Sequence, residues 1–131
     1  MKERLKDNIV VEPDAYPEKH ELYTAEALSK SYGRILFKRP INQYKLKSAD
    51  IEMINLSWEI KAPKTHTLDG VEQALKRATK QSENIILGSF RVKALRDMTV
   101  LNFLTKKAYS QKTIKRLIFV NRKRQVLETK I

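Results

Sequence analysis

Three residues near the middle of the chain have the types and spacing for phosphodiester hydrolysis: Asp50, Glu59 and Lys61, in the pattern D-x8-E-x-K. Two carboxylates can bind a hard divalent cation through oxygen. Such a cation polarises a phosphoryl oxygen and lowers the pKa of bound water. An amine beside it can hold or help activate the nucleophile, or stabilise charge building on phosphate. The metal ligands expected from this pattern are Asp50, Glu59 and the main-chain carbonyl of Ile60. Mg²⁺ or Mn²⁺ suits the set, with Zn²⁺ as a further candidate. The duller account is a strand that exposes an alternating polar face, since Glu and Lys two apart occur on many charged strands.

The elements must bring these residues together. Residues two apart on a strand share a face. Glu59 and Lys61 therefore point one way, and Trp58, Ile60 and Ala62 the other. Strands over 50–55 and 58–62, joined around Asn55, Leu56 and Ser57, would pair as a hairpin. Asp50 would then lie near Glu59 at a sheet edge. Trp58 is expected to pack in the core rather than stack on a base.

Around this hairpin the pattern reads as one domain over 16–131, after a charged lead-in over 1–15. Pro17 opens a helix over 17–32 that Gly33 closes. RILFK, 34–38, is a strand ended by Pro40, and a polar loop, INQYKLKS, follows. Thr67 or Asp69 caps a helix over about 69–82 with Val71, Leu75, Ala78 and Ser82 as its apolar stripe. NIILGSF is a buried strand. Asp97 or Thr99 caps a helix to about 110. Leu117 to Val120 and Gln125 to Glu128 form a last hairpin. The order α–β–β–β–α–β–α–β–β predicts an α/β (α+β) fold, a mixed β-sheet flanked by helices.

Composition narrows the classes. With 27 Lys and Arg against 15 Asp and Glu, the 131-residue chain carries a net charge of +12. That excess favours polyanions, above all nucleic acid. There is no cysteine, which excludes disulfides, thiolate zinc sites and cysteine nucleophiles, and only two histidines are present. No apolar run approaches the ~20 residues that span a bilayer. The N-terminus has no signal-peptide core, so export would require carriage within something larger. No P-loop, GxGxxG or nucleophile elbow occurs.

Read together, SADIEMINLSWEIKAPKTHTLDGVEQALKRATKQSENIIL resembles the PD-(D/E)xK nuclease superfamily. More narrowly, it is similar to the C-terminal tRNA nuclease domain of CdiA-type contact-dependent growth inhibition toxins and related mobile-element proteins. The likeness rests on Ala-Asp-Ile, on Trp-Glu-Ile-Lys before a Pro turn, and on Leu-Lys-Arg-Ala-x-Lys-Gln-Ser-x-Asn-Ile. The segment HELYTAEALSKSYG resembles the family's leading helix. The similarity covers about residues 17–90, and more loosely the last hairpin. Ala49 stands before Asp50 where the superfamily signature has Pro.

The resemblance implies a restriction-endonuclease-like core and a metal-dependent endonuclease, an RNase acting on tRNA. Asp50 and Glu59 would be metal ligands and Lys61 the catalytic lysine. Glu21 would add a carboxylate from the first helix, with Glu26 as its rival. Action in the bacterial cytoplasm, delivery within a larger secreted toxin, and an acidic immunity protein as partner follow from the same likeness. DNA remains an alternative substrate, as in prophage or restriction endonucleases. A non-catalytic basic nucleic-acid-binding module is the rival class.

Further candidates surround the motif. Lys76, Arg77 and Lys80 could track a phosphate backbone, or form a solvated helix face. Gln81 could touch the scissile phosphate or a base. Thr65 and His66 sit in the loop after the strand, where His66 could aid proton transfer. The cations of the turn Asn121 to Arg124 could grip nucleic acid, or simply guard an edge hairpin.

Overall fold

Apolar residues at Trp58 and Ile60 build the strand around which the molecule is organised, β5 (Leu56–Lys61). The computed structural model describes residues 3–6, 8–39 and 50–130. Among them β5 is the fifth of eight strands in one mixed sheet. Strand order follows the chain: β1 (Glu3–Lys6), β2 (Ile9–Val11), β3 (Ile35–Phe37), β4 (Ile51–Met53), β5, β6 (Asn84–Gly88), β7 (Arg116–Val120) and β8 (Val126–Lys130). Three helices connect the parallel pairs: α1 (Lys19–Tyr32) between β2 and β3, α2 (Leu68–Thr79) between β5 and β6, and α3 (Asp97–Ser110) between β6 and β7. The other neighbours are antiparallel.

Strand periodicity sorts the core into two layers. Trp58, Ile60, Ile86 and Ile118 pack with Ala25 and Leu28 of α1. Ile85, Leu87, Leu117 and Phe119 pack with Val71 and Leu75 of α2 and Val100 and Leu104 of α3. β6 and β7 are covered on both faces, which is why they read as unbroken apolar runs. Trp58 is fully buried, and its Nε1 donates to the carbonyl of Met53 at 3.0 Å. It is a core residue, as its phase predicts.

From α1 onward the element order is the one expected. Before α1 it is not. Residues 3–6 and 9–11 are strands, where the sequence reads as a lead-in. Three apolar residues, Ile9, Val10 and Val11, suffice because β3 offers them a parallel partner. α1 begins at Lys19, so Pro17 precedes the helix instead of opening it.

The β4–β5 turn is Ile54-Asn55, one position earlier than expected, with both residues at positive φ. That is the backbone a two-residue hairpin needs. Leu56 and Ser57 therefore belong to the strand.

α2 ends at Thr79, short of Ser82, and Thr67 is its cap, accepting from the N–H of Gly70 at 3.0 Å. Asp97 is the first residue of α3, after Arg96 at the cap position. The expected loop over 41–48 and the stop at Pro40 lie outside the described residues. No helix among the described residues is long and apolar enough to cross a membrane.

Candidate functional site

β5 changes partner half-way along. Leu56–Trp58 pair with β4, and Glu59–Lys61 pair with β6. The sheet opens at that point, and Glu59 sits at the fork. This is the interior of the sheet, not the edge expected from the sequence. One step past the pair Ile51–Trp58, the side chain of Asp50 replaces a backbone partner: its Oδ2 accepts from the N–H of Ile60 at 3.0 Å. The Asp50 carbonyl accepts from Lys38 N–H at 3.2 Å, which ties its backbone to the end of β3. In an extended strand, a residue's N–H and C=O point to the same neighbour. The Ile60 carbonyl therefore faces the Asp50 side and not β6.

Asp50, Glu59, Ile60, Lys61 and Glu21 line one open cavity of about 350 Å³. Lys61 Nζ lies 3.2 Å from Glu59 Oε2, with the lysine partly exposed and the glutamate only 6% exposed. Glu21 arrives on the first turn of α1, where its Oε1 accepts from the N–H of Glu18 at 2.8 Å. Gly88 helps α1 approach: a Cβ there would lie 3.2 Å from Thr24 Oγ1. Glu26 lies elsewhere. It is paired at 2.9 Å with Arg124, which stacks on Tyr23. The geometry thus separates the two rival carboxylates and brings only Glu21 to the cavity.

The electrostatics are those of acids held together. Burial pushes Glu59 up to about 7, Asp50 adds to the rise, and Lys61 opposes it. Burial also raises Asp50, against the hydrogen bond from Ile60 and the charge of Lys61. Glu21 is raised by burial and by the negative charge of Asp50, against its bond to Glu18. When Glu59 is ionised, its buried Oε1 has no donor. When protonated, the carboxyl can donate toward Asp50.

Such a cluster is relieved by a proton or a cation. Asp50, Glu59 and the Ile60 carbonyl form a hard oxygen set that fits a divalent metal. Among the described residues, no three His, Cys, Asp or Glu side chains come together as a group that could hold a metal ion, so the set rests on two carboxylates and a carbonyl.

The other expected residues divide. Arg77 lines the cavity; Lys76, Lys80 and Gln81 are exposed and do not. Neither Thr65 nor His66 reaches it. Thr65 instead supports the start of α2: a Cβ on Gly70 would fall 1.9 Å from its Oγ1, and Thr67 N–H donates to that oxygen at 3.3 Å. His66 is exposed. In the last turn, Arg122 donates to the Val92 carbonyl and Arg124 is clamped to Glu26. Two of its three cations thus serve the fold.

Four cavity residues with ionisable side chains carry no motif that marks them in the sequence: Glu18, His20, Lys64 and Arg91. His20 is lowered from its ordinary value by burial and then by Arg91, although Glu18, 3.2 Å from its Nδ1, opposes this. One signal could have found Lys64 and Arg91. In parallel sheets, ligand crevices lie beyond the carboxyl ends of strands, and both residues follow the ends of β5 and β6.

A solved structure, the CdiA-CT/CdiI toxin and immunity complex from Burkholderia pseudomallei, contains a chain similar to this one. The TM-score is 0.70, the identity 14%, and the match covers 95% of this chain and 99% of that one. The two chains share a fold. At this identity the likeness speaks for architecture alone. No protein-family model matches the chain, and no curated protein does.

Proposed function

We propose that this chain is a toxin-type, metal-dependent nuclease of the PD-(D/E)xK kind that hydrolyses phosphodiester bonds in RNA, tRNA above all. One observation carries the reading: Glu59 is buried at the fork of the sheet with an oxygen lacking a donor, while Asp50, Glu21 and Lys61 face the same cavity. Asp50, Glu59 and the Ile60 carbonyl would hold Mg²⁺ or Mn²⁺. Mg²⁺ uses one or two carboxylates and fills its remaining positions with water and substrate phosphate. When bound, the ion polarises the phosphoryl oxygen and acidifies water.

The residues of the chain supply the rest. In hydrolysis a water oxygen bonds to phosphorus, the bond from phosphorus to the leaving sugar oxygen breaks, and that oxygen takes a proton. Lys61 lies within 3.2 Å of Glu59. There it can orient the water and stabilise the charge that builds on phosphate. Glu21 widens the negative side of the cavity. Arg77, on the wall formed by α2, offers a contact to the strand.

The net charge of +12 suits a polyanion. The Trp-Glu-Ile-Lys and Lys-Gln-Ser-x-Asn blocks favour a tRNase over a DNA endonuclease, and the fold shared with a chain of the toxin and immunity complex suits a toxin-type domain. Such an enzyme acts in the bacterial cytoplasm, arrives within a larger secreted toxin, and has an acidic immunity protein that covers the basic cleft.

Incubating the protein with total tRNA and with plasmid DNA, with Mg²⁺, Mn²⁺, Zn²⁺ or EDTA, tests this. Metal-dependent cuts in tRNA are expected. Cuts in DNA alone would move the reading to a DNA endonuclease. Binding without cleavage under every metal would leave a non-catalytic module.

A further inference from the structure

A cation stands beside the carboxylates with no acid of its own. Arg91 lies half-buried in the cavity wall, three residues after β6. Its Nε donates to the carbonyl of Ala62 at 2.8 Å, the residue that follows Lys61. That bond fixes the guanidinium at the end of β5 through one nitrogen. Among the described residues no carboxylate pairs with Arg91, although Glu18, Glu21, Asp50 and Glu59 line the same cavity.

The segment that carries Arg91 is pinned by its own turn and by contacts from three other parts of the fold. Val92 N–H closes a turn onto Ser89 at 2.9 Å. Thr65 bridges Val92 in parallel, and Lys93 N–H donates to the Thr65 carbonyl at 2.8 Å. The ring of Phe90 lies 4.6 Å from that of Tyr23 on α1. Arg122 reaches the Val92 carbonyl from the last turn. Folding therefore orders a long, always charged side chain before any ligand arrives. A planar fork with free terminal nitrogens matches phosphate in two-point geometry.

We infer that Arg91 is the phosphate-binding residue of this site, holding a backbone phosphate of the nucleic acid strand at the carboxyl end of β5, beside Lys61. Its anchored Nε sets the direction of the fork, and Lys64 and Arg77 continue the cationic side of the cavity. The inference deepens the nuclease reading and rests on it. A purely structural role, holding the Ala62 carbonyl, is the competing account.

The test is binding of a fluorescently labelled single-stranded RNA oligonucleotide in EDTA, across a salt series, to wild type, Arg91→Ala and Arg91→Lys. Melting curves and metal-supported cleavage are recorded alongside. Arg91→Ala should weaken binding roughly tenfold and reduce the slope of log affinity against log salt by about 0.7–1. Arg91→Lys should keep the slope but recover only part of the cleavage rate, because a point charge replaces the fork. A lower melting temperature with unchanged affinity and slope would overturn the inference, as would failure of the wild type to bind the RNA. Arg91-dependent binding without cleavage would sink the nuclease reading and leave this residue's role standing. Cleavage by the wild type with Arg91→Ala unchanged in binding and rate would do the reverse.

Discussion

The carboxylate of Asp50 accepts a hydrogen bond from the backbone N–H of Ile60 at 3.0 Å, so a side chain extends the β4–β5 ladder at the point where β5 passes from β4 to β6. This relationship locates the site. It holds Asp50 against the strand that carries Glu59 and Lys61, and it turns one residue of the sheet into two functions. The same carboxylate that replaces a backbone acceptor also raises Glu59.

That coupling has a consequence for stability. Glu59 is raised from 4.5 to about 7, so the folded state favours its protonated form. Its contribution is fully present below about pH 4.5 and is lost as pH rises through about 7. Asp50 and Glu21 are raised in the same direction. The metal-free protein should therefore lose stability as pH rises from about 4.5 through about 7. Glu59→Gln should flatten this loss and raise stability at pH 8 by up to roughly 2–3 kcal/mol. Mg²⁺ or Mn²⁺ should stabilise the wild type at pH 8 and the variant much less. Thermal melts across pH check this, and a variant less stable than wild type at pH 8 would contradict it.

Glu21 and Glu26 should behave differently although both lie on α1. Glu21 faces the cavity; Glu26 is paired with Arg124 at 2.9 Å on a partly exposed surface. Glu21→Gln should lower cleavage at least tenfold, on the order of 1.4 kcal/mol in the barrier, with little change in melting. Glu26→Gln should leave cleavage near wild type and cost about 0.5–1 kcal/mol of stability. Rates and denaturation curves for the pair decide it. Equal loss of activity in both would remove Glu21 from the site.

Ile54 carries strain. It sits at φ 48° in the β4–β5 turn, and the residue is 40% exposed. A β-branched residue in the left-handed region costs roughly 1–2 kcal/mol. Ile54→Asn should stabilise the protein by about 1 kcal/mol without altering cleavage, since the turn is at the opposite end of β5 from Lys61. Chemical denaturation measures the gain, and a destabilised variant would show that Ile54 contributes packing that outweighs the strain.

Much of this architecture is legible in the residues themselves. Alternation at Trp58, Ile60 and Ala62 fixes the face of β5, and unbroken apolar runs reveal β6 and β7. The D-x8-E-x-K spacing places Asp50 beside Glu59 because a two-residue turn joins β4 to β5. The turn itself is misplaced by one position because neither residue is glycine, the usual sign of positive φ. β2 is hidden because three apolar residues show no period. Arg91 and His20 are invisible to any local pattern, for they reach the cavity only through the parallel β5–β6 pairing and the seating of α1. Conversely, Lys76, Lys80 and Gln81 belong to the resembling block yet lie outside the cavity. Such residues can act only on substrate that extends beyond it.

The most direct test of the central claim is the single-turnover rate of tRNA cleavage by wild type, Glu59→Ala and Lys61→Ala, in Mg²⁺ or Mn²⁺ and in EDTA, with folding verified by circular dichroism. The account predicts metal-dependent cleavage by the wild type, and at least a hundredfold loss in each folded variant, about 2.7 kcal/mol of transition-state stabilisation. Wild-type rates retained by both folded variants, or unchanged in EDTA, would contradict it.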